Sequence, residues 1–441
     1  MSNQTTAAPS VAGDLDETFN GGGVLRFRFY ERERNVAFDA AVGGDERIYI
    51  AGSVIGRYAI AVLNKDGSFA KDFNRGGMLL SSFHNTERSR GYRIAVDEEK
   101  VQVLGTTEVM KFGTTRYCPA IASYHLNGEL DTTYGDGGYQ VIDPDFEDGR
   151  PDFLPEQWPP TWSVFNQKTY VAALRRILGI PISMVVTCLD ANGQIDRQFG
   201  SAGHVIIEHP QQVTALYFIR ATEEGIYLGG AVSSAELRAF CKISLSGEFD
   251  TTFGQDGFVT YETPYSRVNA LPAQKSPMLL GVGRSTRMEE GETLVRYQGA
   301  LVSLHPNGHP DKQFNNGEPV FTEIEFATVW SFGAVQNDGR IVVSGGTFDY
   351  SAAQQRPDTL ERADYNNGEG PATLESSHEV VCRYLSNGAL DTSFGREGKG
   401  WITFNINQHA TTRGIAVQAD NGILLVGETG DGSAFVVRFK G

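Results

Sequence analysis

Leu390-Asp391-Thr392-Ser393-Phe394-Gly395-Arg396-Glu397-Gly398 is a stretch built for a turn. An Asp three residues before an apolar ring suits a tight bend whose carboxylate accepts backbone N–H groups. The residue after the ring, here Gly395, is Gly or Asn in every copy of the stretch. Those two types tolerate a left-handed backbone, so a positive φ is predicted at that position. Aligned on the ring, the copies fall at Phe19, Phe73, Tyr134, Phe199, Phe253, Phe314 and Phe394, with separations of 54, 61, 65, 54, 61 and 80 residues. The Asp is Asp16, Asp131, Asp196, Asp250, Asp311 or Asp391, and the second copy alone has Ala70 instead. Signatures at 14–23, 68–77, 129–138, 194–203, 248–257, 309–318 and 389–398 thus divide the chain into seven units. Repetition at a turn marks these carboxylates as structural rather than catalytic.

Each signature precedes four short runs with strand character, in the last unit Trp401–Phe404, Gly414–Gln418, Ile423–Val426 and Ala434–Phe439. No segment carries a capped helical stripe. The third run ends on glycine in six units (Gly52, Gly105, Gly230, Gly283, Gly345, Gly427) and on Ala173 in the other. The fourth closes on a polar-Gly dipeptide: Asp66-Gly67, Asn127-Gly128, Asn192-Gly193, Ser246-Gly247, Asn307-Gly308 or Asn387-Gly388. Such dipeptides turn hairpins, so the fourth run should pair with the segment beyond the next signature. That pairing leaves the last unit without an outer strand and Val24–Phe29 without a partner. Pairing Val24–Phe29 with Ala434–Phe439 removes both exposed edges. The expected fold is all-β: a seven-bladed β-propeller of four-stranded antiparallel blades, closed by the N-terminal strand. Residues 14–441 form one domain, and 1–13 are expected to be a flexible tail.

The last unit, with Leu390–Gly398 followed by Gly414-Ile-Ala-Val-Gln-Ala-Asp-Asn-Gly422-Ile-Leu-Leu-Val-Gly427, resembles the delta-60 repeat family of bacterial propeller-like proteins. Leu130–Gly138 and Phe249–Gly257 are equally close. The resemblance implies the fold over nearly the whole chain and no common activity. The arrangement is also similar to NHL-type propellers, which generally bind partners.

A net charge of −16 over 441 residues speaks against partners bound through their phosphates, nucleic acid and anionic membranes alike. Met1–Gly13 has neither the basic start nor the apolar core of a secretory signal, and no stretch reaches the ~20 apolar residues of a membrane span. The expectation is a cytoplasmic protein, or one secreted by a signal-independent route, with no transmembrane segment. Cys118, Cys188, Cys241 and Cys382 lie far apart and read as buried core positions rather than metal, disulfide or nucleophile residues.

In a four-stranded blade the two loop classes that join second to third strand, and outer strand to the next blade, share one face. The insertions Asp143–Pro160, Arg284–Arg296 and Thr347–Ser377 all belong to these classes, so that face is the expected binding face. Lineage-specific decoration without a ligand is the plain alternative. Asp143, Asp145, Glu147 and Asp148 are clustered carboxylates: a solvated acidic loop, or a Ca²⁺ site using Asp143, Asp145 and Asp148, although the spacing is not that of an EF-hand. Apart from that Ca²⁺ option no cofactor is expected. Trp158, Trp162 and Trp330 suit sugar or peptide contact if exposed and packing if not. Arg34, Arg90, Arg267 and Arg413 precede inner strands, where they would form an anion-attracting channel mouth or surface ion pairs. There is no G-x-S-x-G, P-loop or dinucleotide fingerprint, and the histidines lack metal-ligand spacing. The leading expectation is a non-catalytic propeller that binds a protein or glycan. The alternatives are an acidic, metal-assisted hydrolase or lyase and a secreted effector or toxin component.

Overall fold

The computed structural model describes residues 10–83, 88–111, 113–144, 146, 152–153, 159–177, 182–209, 213–232, 235–288, 295–324, 327–348, 378–406 and 410–441. Seven antiparallel sheets follow one another in a ring, each built from the axis outward. Blade 1 comprises Asn35–Val42, Ile48–Val54, Arg57–Leu63 and Met78–Ser81; blade 2, Ser89–Val96, Lys100–Lys111, Thr114–His125 and Tyr139–Val141. Blade 3 comprises Thr161–Phe165, Lys168–Arg176, Ser183–Leu189 and His204–Ile207; blade 4, Thr214–Thr222, Gly225–Val232, Leu237–Ile243 and Phe258–Thr260. Blade 5 comprises Arg267–Ala270, Leu279–Met288, Val295–Leu304 and Val320–Thr322; blade 6, Thr328–Val335, Ile341–Thr347, His378–Tyr384 and Trp401–Phe404. Blade 7 takes Thr411–Val417, Ile423–Glu428 and Ala434–Phe439 from the C-terminus and its outer strand, Val24–Phe27, from the N-terminus. The register of that closure runs from Val24 opposite Val437 to Phe27 opposite Ala434. Among the described residues no helix is long and apolar enough to cross a membrane.

The signature lies between third and outer strand of its own blade, as the hairpin argument requires. All six signature Asp residues accept the amide two places on at 3.0–3.1 Å. The Gly or Asn after the ring has φ between 43° and 75° in all seven copies. Its purpose is a bond between blades. In that conformation its amide turns outward and donates to the carbonyl of the polar-Gly turn in the next blade: Asn20 to Asp66, Asn74 to Asn127, Gly135 to Asn192, Gly200 to Ser246, Gly254 to Asn307 and Asn315 to Asn387, at 2.7–3.2 Å. The seventh donor, Gly395, bonds at 2.8 Å to the carbonyl of Ala12. Ala12-Gly13 therefore stands in for the seventh polar-Gly turn, and the fold begins earlier than the boundary at residue 14 expected from the signatures. Glycine is needed in these turns because the neighbouring blade's ring sits against it: a Cβ on Gly388 would stand 2.9 Å from Phe314, and one on Gly67 2.9 Å from Phe19.

The glycine column of the second strands has a separate cause. Opposite it the inner strand carries a β-bulge in blades 1, 2, 4, 5, 6 and 7. A bulge bends its strand towards the partner, and the inner strand's carbonyls, among them those of Val36, Arg90, Arg267 and Val329, occupy the space a Cβ would need on Gly52, Gly105, Gly283 and Gly345. Blade 3 has Ala173 in the column, and its inner pairing shows no register shift. The core is divided among the seams between blades, each filled from two facing sheets. All four cysteines are buried and free. Burial pushes the Cys188 and Cys382 thiols up to about 12, which suppresses the thiolate and with it nucleophilic or metal-binding use.

Candidate functional site

The inner strands start on the face that also carries the second-to-third hairpins and the inter-blade connections, so the expected arginines gather there. Arg34 and Arg413 meet on one carboxylate at the end of blade 7's second strand. Arg34 reaches Glu428 through Nε at 2.6 Å and Nη2 at 3.0 Å, and Arg413 through Nη2 at 2.8 Å. Glu428 and Arg413 are buried, while most of Arg34 is exposed. Burial opposes the charge on Glu428, but the two guanidiniums outweigh it and hold the carboxyl below its usual range. Arg267 belongs to a different seam, and Arg90 is exposed on blade 2, so the four arginines do not form one ring.

The Arg267 seam, between blades 4 and 5, is the larger assembly. Arg284 pairs with Glu236 at 2.6 Å and lies over the Tyr297 ring at 4.7 Å. Arg238 donates to the Arg284 carbonyl at 3.0 Å and lies over Tyr261 at 5.4 Å. Burial pushes the Arg238 guanidinium down to about 10, and Arg267 and Arg284 together hold Glu236 low against its own burial. Two buried guanidiniums, Arg284 and Arg267, thus act on the Glu236 carboxylate, and a third, Arg238, is held beside them on the Arg284 carbonyl. Sequence reasoning missed Arg238, Arg284 and Glu236 because they come from two strands and a loop that only the ring brings together.

The other expected site residues separate. Trp330 is fully buried in the seam between blades 5 and 6, so it packs and offers nothing to a ligand at the face. Trp162 is half-buried against Leu104, Ile121 and Val171. Asp143 is paired with Lys111 at 2.8 Å and mostly covered. Asp145, Glu147, Asp148 and Trp158 lie outside the described residues, as do 349–377 of the longest insertion. Among the described residues no group of three or more His, Cys, Asp or Glu side chains is placed to hold a metal ion. Two insertions contain ordered strand. Arg284–Arg296 extends the hairpin ladder of blade 5 out to Met288 opposite Val295. Asp152–Phe153 pairs with Arg175–Arg176 of blade 3.

One titratable group on an inner strand had no signal in the sequence. Asp39 follows the bulge of blade 1, and its Oδ2 accepts the Ile94 amide of blade 2 at 3.1 Å. Desolvation pushes its carboxyl up to about 6, with Arg93 pulling the other way. A carboxyl raised above its unfolded value of about 3.8 contributes stability that is complete below that value and lost as pH rises through about 6. Asp39→Asn should therefore raise the melting temperature at pH 8 and leave it nearly unchanged at pH 4. The gain at pH 8 is on the order of 1–2 kcal/mol after allowance for partial exposure. Equal shifts at the two pH values in thermal denaturation would refute the assignment.

The chain matches no family model and no curated protein. It is similar in structure to a glucose dehydrogenase at 10% identity and TM-score 0.37, over 94% of this chain and 99% of that one. It is also similar to prolyl oligopeptidase B from Galerina marginata at 8% identity and TM-score 0.42, over 90% of this chain and 47% of that one. A third likeness is to the β-propeller domain of the trilobed protease from Pyrococcus furiosus, at 9% identity and TM-score 0.38, over 77% of each chain.

Proposed function

We propose that the protein is a binding propeller that presents its loop-bearing face to a protein or glycan partner. The observation that carries this reading is the inequality of the two faces. On the signature face all seven turns are committed to bonds between blades. The described ends of the three long connections, and the seams of Arg34, Arg413 and Glu428, and of Arg238, Arg267, Arg284 and Glu236, fall on the other. Guanidiniums outnumber carboxylates in both seams although the chain is acidic, which favours a partner that brings acidic groups. The acidic hydrolase reading has no comparable support, because the one described carboxylate of its cluster, Asp143, is neutralised by Lys111. The repeat's likeness to the delta-60 unit agrees with a scaffold whose activity varies from protein to protein.

Glycan and acidic-peptide arrays probed with the full chain test the proposal. Each ligand recovered is measured again with a variant in which a short turn replaces residues 349–377, and with Arg90→Glu. At least one of the two should weaken binding about tenfold or more, roughly 1.4 kcal/mol. Ligands that bind both variants undiminished, or arrays without a ligand, would remove the basis for it.

A further inference from the structure

The signature carboxylates sit low in the seams on the signature face, and the chain provides a cation for five of the six. Asp250 pairs with Lys242 at 2.8 Å, Asp196 with Lys168 at 2.7 Å, Asp391 with Arg383 at 2.8 Å, and Asp16 with Arg438. Asp131 lies within the field of His125 and Lys100. In blade 1, where Ala70 replaces the Asp, the third-strand residue whose carbonyl binds that position is Val62, so cation and carboxylate disappear together. Blade 5 breaks the pattern. Asp311 keeps the carboxylate, yet the third-strand residue is Ser303, where blades 4, 6 and 7 have Lys242, Arg383 and Arg438. Blade 2 has Ser123 there too, but with Lys100 nearby, whose counterpart in blade 5 is Met278, while His305 is the counterpart of His125. Its Oδ2 accepts only the Ser303 hydroxyl, at 3.0 Å, and its Oδ1 the Gln313 amide, at 3.0 Å. No cation pairs with it among the described residues.

Blade 6 shows what fills such a place. The Arg383 guanidinium lies 4.7 Å from the centre of the signature ring, Phe394, while its Nε bonds to Asp391. In blade 5 the same ring and carboxylate, Phe314 and Asp311, border a cavity of about 360 Å³ between blades 5 and 6. His305 and Gln336 also line it, and the exposed Lys275 stands among its lining residues. Gln336 is 3% exposed. Its Nε2 donates to the Asn421 carbonyl at 2.7 Å, and its Oε1 has no hydrogen-bond partner among the described residues. A buried acceptor without a donor is costly, and a carboxylate beside an aromatic face is the environment that a guanidinium stabilises best.

The geometry points to this cavity as a binding site for a guanidinium carried on an alkyl stem, which takes the place that Arg383 holds in blade 6. The stem runs over Met278 and Val335, which line the same cavity, and the planar head bonds to Asp311 over Phe314. The site is on the face opposite the loops and is independent of the reading above.

Agmatine and the tripeptide Gly-Arg-Gly, titrated calorimetrically into the full chain, test it, with Gly-citrulline-Gly as the neutral isostere. Both cationic probes should bind with a dissociation constant of ~1 mM or tighter, and citrulline should not. Binding of the tripeptide about tenfold tighter than agmatine would assign the site to a peptide-borne arginine, and equal binding to a free guanidine. Ser303→Arg builds the missing cation into the blade and should abolish binding while raising the melting temperature. Asp311→Asn should weaken binding at least about tenfold. Should Asp311→Asn fail to fold, Ser303→Arg and Ser303→Lys decide alone. The proposal falls if neither cationic probe binds at ~10 mM, if citrulline binds equally, or if the Ser303 variants bind undiminished.

Discussion

A chain that lacks residues 1–27 should fail to form the closed ring. Phe19, Leu25 and Phe27 are each no more than 9% exposed and fill the seam between blades 7 and 1. Their burial contributes roughly 2–3 kcal/mol each. Removal also strips the Ala434–Phe439 strand of its outer partner and breaks the Gly395 to Ala12 bond. Arg438, 7% exposed, loses Asp16 and keeps Asp420 at 2.7 Å, so one of its two ion pairs goes. The three side chains alone come to about 6–9 kcal/mol, within the ~5–15 kcal/mol that holds a typical domain together. Size-exclusion chromatography and urea denaturation should therefore show an aggregated or expanded species with no cooperative transition. A peptide of residues 10–29 added in trans should restore a measurable transition. A truncated chain that unfolds cooperatively at an undiminished midpoint would mean that the N-terminal strand is ornamental.

The second large effect is expected at the bulge glycines. Gly345→Ala puts a methyl closer than 3.0 Å to the Val329 carbonyl, so the bulge of blade 6 must open or the second strand must retreat. Either breaks a ladder in which Ile341–Thr347 is buried throughout. A loss on the order of 3–5 kcal/mol follows, in the range that marks a disrupted core. Ala173→Gly is the control. Blade 3 has no register shift to relieve, and the change should cost only about 1 kcal/mol, the ordinary entropic penalty of glycine in a strand. If the two substitutions shift the urea midpoint equally, the link between the column and the bulge is wrong.

What the sequence declared and what it concealed divide along a physical line. The turn carboxylates, the positive φ after the ring, the shifted blade boundary and the strand that closes the ring all follow from the preferences of a few neighbouring residues, repeated seven times. The glycine column was visible, but its reason was not, because a bulge is a property of two paired strands. Ala12-Gly13 escaped notice as the seventh turn because Ala lacks the polar side chain that marks the other six. The side chains of the candidate site were harder still. Trp330 reads the same whether it faces solvent or a seam, and it faces a seam. Arg284 and Glu236 are 48 residues apart in sequence and meet only because hairpins of adjacent blades lean together. The missing cation at Asp311 could be recognised only once the pairs at Asp250, Asp391 and Asp16 supplied a template.

The closure of blade 7 has one more consequence. Gly13 donates to the Lys440 carbonyl at 2.9 Å, so the chain enters and leaves the ring through one gap, beside the turns of the signature face. Anything joined to either end is moored there. The loop-bearing face then points away from the mooring.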